Sequence, residues 1–232
     1  MCLKQMARII ASSLVAVSIL GVIPHSAQAS EVKTKKWVSN VRVEAVLNAY
    51  GLPTGAVDGV FTINTSQALC VWRDLVGRNP NWAKPSLRER FLLDRGTPQK
   101  VPSRLVVGLN VSIACQVVIW VQQEPGTTKH TIREVFRATT GMSEFETRIG
   151  THRIYAQRDE WQESDIYEGA MMYRPKYFDG GQALHGSATD SLVGFVPASH
   201  GCVRMLHSAI KKIWKAKLGI GTTVKVYGKW GK

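Results

Sequence analysis

The distribution of apolar and polar positions divides the 232-residue chain into three stretches of different texture. From Ile9 to Ile23 the chain is almost wholly apolar. Between about residues 38 and 96, apolar residues recur with helical spacing: Val41, Ala45, Val46 and Tyr50, then Ala68, Leu69, Trp72, Leu75 and Val76. Gly51, Pro53, Gly55 and Gly59 punctuate a loop between them. Asn64 with Gln67 three residues on predicts the start of the second helix. Ser86 and Glu89 have capping-box spacing ahead of the apolar residues 91–93, and Gly96 supplies a stop.

From about residue 97 the texture is that of strands. Residues 111–121 place Ile113, Cys115, Val117, Ile119 and Val121 on one face and predict a single strand, and 131–139 alternate again. Residues 148–155 predict a turn feeding a strand. Residues 156–171 are polar, without strong periodicity, and carry Trp161 and Tyr167; a connection of that length suggests a binding lid. A late helix is expected over about 206–218, with lysines at its end where the helix dipole favours cations, followed by a last strand over 222–227. The fold expected is α+β: a mostly-β domain at 104–228 preceded by a small helical domain at 38–96.

The apolar start changes the picture of where the chain works. Lys4 and Arg8 precede the apolar run and Ala27-Gln28-Ala29 follows it, the three-part pattern of a signal peptide over residues 1–29. The run is shorter than the roughly 20 residues that span a bilayer comfortably, and no second stretch of that length exists. The mature chain is therefore expected to be secreted, periplasmic or cell-wall associated, with no transmembrane segment; an uncleaved anchor is the alternative. Loss of Lys4 and Arg8 takes the formal charge from +13 to +11. Such a field draws polyanions. Export argues against nucleic acid and for anionic cell-wall polymers. Cys2 leaves with the leader, and Cys70, Cys115 and Cys202 remain; an odd count suggests one thiol kept free. Cys70 and Cys115 are either buried small hydrophobes or a pair.

Residues 185–205 hold the candidate chemistry: two histidines and a cysteine among glycines and short polar residues. A cysteine attacks a carbonyl as its thiolate and needs a lowered pKa or a neighbouring base, and histidine is the usual base. Gly201 lets a substrate approach the backbone, backbone N–H groups beside a nucleophile hold an oxyanion, and Arg204 suits a carboxylate. Zinc binding is the rival reading, but no paired Cys-x-x-Cys occurs. His130, His152 and His207 read as surface or satisfied core residues.

Ser199-His200-Gly201-Cys202-Val203-Arg204, with His185-Gly186 upstream, resembles the signature of the YkuD-type L,D-transpeptidases. Residues 150–154 resemble the upstream turn and strand of that family, with Arg148 where its proline stands. The resemblance implies a thioester mechanism without a cofactor or metal. Cys202 would be the nucleophile and His185 its base, oriented by the Gly186 carbonyl. His200 is the alternative base, since residues two apart share a face of an extended segment. Gly201 and Cys202 N–H groups would form the oxyanion hole. Ser199, His200 and Arg204 would shape the pocket, and Tyr173 is taken as a further substrate contact. Partners implied are peptidoglycan stem peptides as donor and acceptor, with D-Ala released, and carbapenem-type inhibitors. Water as acceptor would make the enzyme an L,D-carboxypeptidase; an inactive wall-binding protein is a further alternative. Gly51, Gly55, Asp58-Gly59, Phe61, Thr65 and Ala68-Leu69 resemble a degenerate peptidoglycan-binding helical domain, with Thr62 replacing a glycine.

Overall fold

A computed structural model describes residues 38–96 and 101–231; the expected leader lies outside the described residues. Three helices come first: α1 (Asn40–Ala49), α2 (Ile63–Leu75) and α3 (Leu87–Asp94). Ser86 and Glu89 make the expected capping box on α3, and Gly96, at φ 72°, follows its end. Helix α2 begins one residue before Asn64. Its cap is Thr62, whose side chain accepts from the Thr65 N–H while Thr65 answers the Thr62 N–H. A Thr-x-x-Thr pair does the work of the usual Ser-x-x-Glu, which is why the start was displaced. Glu89 also takes two bonds from buried Arg73, at 2.7 and 3.0 Å. Burial alone would raise its pKa, but the bonds from Arg73 and Ser86 prevail and bring it to about 2.

The strands are β1 (Gly108–Ser112), β2 (Val117–Gln123), β3 (His130–Thr139), β4 (Gly150–Arg153), β5 (Ala156–Gln157), β6 (Trp161–Glu163), β7 (Met171–Asp179), β8 (Gln182–Gly186), β9 (Val203–Met205) and β10 (Thr223–Tyr227), with α4 (His207–Lys215) before the last. They form one curled sheet in the order β4-β10-β1-β2-β3-β9-β8-β7-β5, with β6 beside β7. Two pairings are parallel, β1 with β10 and β8 with β9. Strand β3 serves both halves: its length pairs with β2 and its end, Ala138 and Thr139, pairs with β9.

Two segments differ from expectation. Residues 111–121 are not one strand but a hairpin, Ser112 facing Val117 across a tight turn. Gln116 takes φ 53° and its buried amide donates to Ile113 O and Thr140 Oγ1. The turn is made by that side chain, with no Gly, Pro, Asn or Asp to mark it. Residues 156–171 are not wholly irregular: Trp161 pairs with Tyr173 and Glu163 with Met171.

Strand β2 shows how the core is divided. Val117, Ile119 and Val121 join Leu47, Leu69, Trp72 and Leu93 under the helices. Val118 faces the other way, into a cluster with Leu184, Val203, Met205, Ile210 and Ile213. Strand alternation thus feeds two cores from one sheet, each fully buried aliphatic side chain contributing about 1.5–3 kcal/mol. Cys70 and Cys115 form a disulfide that ties α2 to the β1–β2 turn. Helices and sheet fall within one compact unit. Among the described residues no helix is long and apolar enough to cross a membrane.

Candidate active site

The parallel pairing of β8 with β9 builds the site. Leu184 faces Val203, His185 faces Arg204 and Gly186 faces Met205. Alternation sends Leu184, Val203 and Met205 into the core, each with no exposed surface. The opposite face carries His185, Arg204 and, one residue before β9, Cys202. All three line one cavity of about 420 Å³, with Tyr167, Met172 and Ser187. A second cavity, also about 420 Å³, is lined by Gly181, Gln182, Tyr177 and Arg148. The two share Cys202, His200, Tyr167, Met172 and Ser164, so the thiol stands where they meet.

His185 is buried, and its Nδ1 lies 2.8 Å from the Gly186 carbonyl. A carbonyl only accepts, so Nδ1 carries the proton and Nε2 keeps its lone pair. Burial pushes the imidazole pKa down to about 4; the bond to Gly186 opposes this and the charge of Arg204 adds to it. Cys202 is the free cysteine among the described residues and is partly exposed. Burial raises its thiol pKa, against the Ala183 backbone bond and the Arg204 charge, which lower it. In each group burial favours the neutral form.

Gly186 leaves no room for a side chain, since a Cβ there would sit 2.5 Å from His207 Cδ2 and 3.1 Å from Tyr173 Cβ. His207 Nε2 donates to the Ser187 carbonyl at 2.7 Å, and its ring packs on Tyr173 and Trp161 with centroids 5.0 and 5.4 Å away. The structure thus places Tyr173 in the buried cluster behind Gly186, away from the cleft lining, because its strand position pairs with Gly186 and turns its ring to His207. His207, read from the sequence as an ordinary core or surface residue, backs the backbone that holds His185.

The other side is a loop. Ser199 Oγ donates to the Cys202 carbonyl at 2.6 Å and accepts from the Gly201 N–H at 3.2 Å. Thr147 Oγ1 donates to the Gly201 carbonyl at 2.8 Å and accepts from the Gly141 N–H at 2.9 Å. Gly201 has φ 106°, and a Cβ on it would meet Gln182 Nε2 at 2.6 Å. Gln182 in turn bonds Glu146 O and Arg148 N. Sequence reasoning missed Thr147 and Gln182; the trace of the first was its place just ahead of Arg148 in the upstream turn, while nothing marks the second. His200 is exposed, its ring between Phe145 and Tyr167 at 4.9 and 4.8 Å. Arg204 lines the cleft, with Nη1 bonded to Ala198 O.

A curled, mostly-β sheet that presents a buried imidazole and a free thiol to one cleft defines a small class of proteins. Within it, residues 109–226 match the model of the L,D-transpeptidase catalytic domain (YkuD). The chain belongs to that family and is an L,D-transpeptidase, an enzyme of peptidoglycan. It is similar to the L,D-transpeptidase of Xylanimonas cellulosilytica, 26% identical over 81% of this chain and 92% of that one, with a TM-score of 0.56. It is also similar to an L,D-transpeptidase from Stackebrandtia nassauensis, 22% identical over 83% and 92%, with a TM-score of 0.48. A third likeness is to L,D-transpeptidase 3 of Mycobacterium tuberculosis in complex with a faropenem-derived adduct, 16% identical over 52% and 59%, with a TM-score of 0.41. The comparison with curated proteins finds no match.

Proposed function

We propose that the protein is an exported cysteine L,D-transpeptidase that transfers a peptidoglycan stem through a thioester on Cys202 and releases D-Ala. The observation that carries this reading is a free thiol and a neutral imidazole with a free Nε2 facing one cleft. As Cys202 Sγ attacks the carbonyl carbon of the donor stem, its proton passes to His185 Nε2. The Cys202 N–H takes the oxyanion; the Gly201 N–H, held by Ser199, is the weaker candidate. The C–N bond to D-Ala then breaks and the leaving amine takes the proton from His185, which leaves the thioester. An amine of a second stem attacks that carbonyl, gives its proton to His185, and displaces the sulfur, which recovers the proton. Because the thiol is pushed up and the imidazole down, the charged pair forms only during attack.

We read the two cavities that meet at the thiol as one for each stem, which favours transfer to a second peptide over hydrolysis. Arg204 suits the donor carboxylate, and His200 forms the mouth with Phe145 and Tyr167. Export is supported by the leader pattern and by the Cys70–Cys115 disulfide, which fits an oxidising compartment. The basic charge suits an anionic cell wall.

Intact-mass measurement tests the proposal. The mature enzyme is expected to gain a covalent acyl group from a carbapenem, and from disaccharide-tetrapeptide with loss of D-Ala, whereas Cys202→Ala gains neither. A wild-type mass that stays unchanged with both reagents overturns it.

A further inference from the structure

A second cleft lies between the helices and the sheet, away from Cys202. Its volume is about 190 Å³, with walls from Leu52, Ala68 and Val71 on one side and Val117 and Val135 on the other. Three polar side chains line it, and none is used by the site already described.

Arg137, on β3, is half-buried, and its guanidinium lies 4.1 Å over the ring of Phe195. One Nη2–H donates to Asn64 Oδ1, and Nε is buried with no partner. Among the described residues no carboxylate pairs with Arg137, and burial lowers its pKa, as expected for a cation without a counter-ion. Asn64 spends its oxygen on Arg137, so its amide donor is left over. Gln67 is buried and both protons of its amide nitrogen go to the turn, to Cys115 O and Gln116 O at 3.1 and 3.0 Å. That fixes the orientation of the amide, and Oε1 is left as an acceptor with no bond among the described residues. The cleft thus offers a guanidinium and an amide N–H as donors, one carbonyl oxygen as acceptor, and small apolar walls.

We propose that this cleft is a second binding site, for the carboxylate end of a short peptide with a small apolar last residue. The carboxylate meets Arg137 and the Asn64 amide, the backbone N–H of the same residue donates to Gln67 Oε1, and the side chain lies against Ala68 and Val71. A cavity of this size takes one or two small residues. An arginine and carboxylate pair supplies both charge and planar geometry. The ligand needs no chemistry from Cys202, so the site holds a product end or a neighbouring strand while the catalytic cleft works elsewhere.

The test is a titration of isotope-labelled full-length mature protein with N-acetyl-D-alanine and, separately, with its amide, read by ¹⁵N–¹H shifts. The acid is expected to move the side-chain signals of Asn64 and Gln67 and the β3 amides near Arg137, and the uncharged amide is not. Arg137→Gln is expected to weaken the acid roughly tenfold or more, the loss of a charged hydrogen-bond partner, while Arg204→Gln leaves these shifts in place. The acid-versus-amide comparison uses unaltered protein, so it stands even if Arg137→Gln fails to fold. Shifts confined to residues 185–204, an equal response to the amide, or no response overturns the proposal.

Discussion

The two walls of the catalytic cleft are built on opposite plans. The His185 wall is a strand whose every neighbour is packed: Gly186 against His207 and Tyr173, Ser187 O bonded to His207, and Leu184 sealed in the core. The His200 wall is a loop tied by hydroxyl and amide side chains, and its histidine is exposed between two aromatic rings. One wall fixes a tautomer; the other leaves its histidine open at the cleft. The contrast bears on the choice of base: residue 200 is two positions from the thiol in sequence but exposed, whereas residue 185 is buried and bonded through Nδ1.

The largest expected effect separates the two histidines. His185→Ala should lower the rate of carbapenem acylation by about 10²- to 10⁴-fold, the usual range for a positioned general base. His200→Ala should lower it less than about tenfold and act mainly on KM for peptide substrates, since its exposed ring stands at the mouth between Phe145 and Tyr167. Equal losses, measured by stopped-flow or timed intact mass, would erase the contrast.

The pH profile comes next. Acylation should be bell-shaped, and its acid limb should lie near the pushed-down value of about 4 for His185. The rate at about pH 5 should be nearly that at pH 7, where an ordinary imidazole near 6.5 would give a drop of roughly twenty-fivefold. The same burial bears on stability. The folded-state pKa is depressed, so the unfolded chain binds more protons between about 4 and 6.5. Stability is complete above that window and falls as the pH drops through it.

His207→Ala should lower acylation by roughly tenfold, with kcat falling and KM unchanged, because the chain at Gly186 and Ser187 gains freedom while the cleft lining is intact. A changed KM with an unchanged kcat would move His207 to a binding role.

The smallest effect lies on the far side of the strand wall. Lys176 on β7 is fully buried, with Nζ 2.7 Å from Gln157 Oε1 and 3.9 Å from the Trp214 ring centre. Burial pushes its pKa down to about 8. Stability should therefore rise with pH between about 8 and 10.4 and be lost as the pH falls through 8, by about 1–3 kcal/mol at most. Chemical denaturation across that window reads the slope, and Lys176→Met should remove it.

Much of this arrangement was legible in residue order. The capping box of Ser86 and Glu89 stands out because two backbone donors are satisfied by side chains three residues apart. The late helix and the last strand show because their periodicity is local. The cluster from Ser199 to Arg204 announces a thiol and an imidazole. What was hidden depends on distant partners. The β1–β2 turn rests on Gln116 reaching Thr140, so an apolar run reads as one strand. The β7–β8 hairpin, which carries His185, has mixed polarity because Lys176 is satisfied by Gln157 and Trp214 rather than by water. Thr147 and Gln182 matter only through the backbone of Gly201, and no local pattern records that.

The disulfide and the lone thiol share one chain, and the difference in their surroundings governs how each meets an oxidant. Exchange with another sulfur proceeds through the anion. In the folded chain burial favours the neutral form of Cys202 and keeps that anion scarce, while Cys70 and Cys115 are already joined to each other. Cys70 and Cys115 have no exposed surface, so an added reductant reaches their disulfide only slowly in the folded chain, but once reduced the 45-residue span loses a closure worth about 4 kcal/mol by the chain-entropy relation. Assays run without added thiol should therefore give the more durable enzyme.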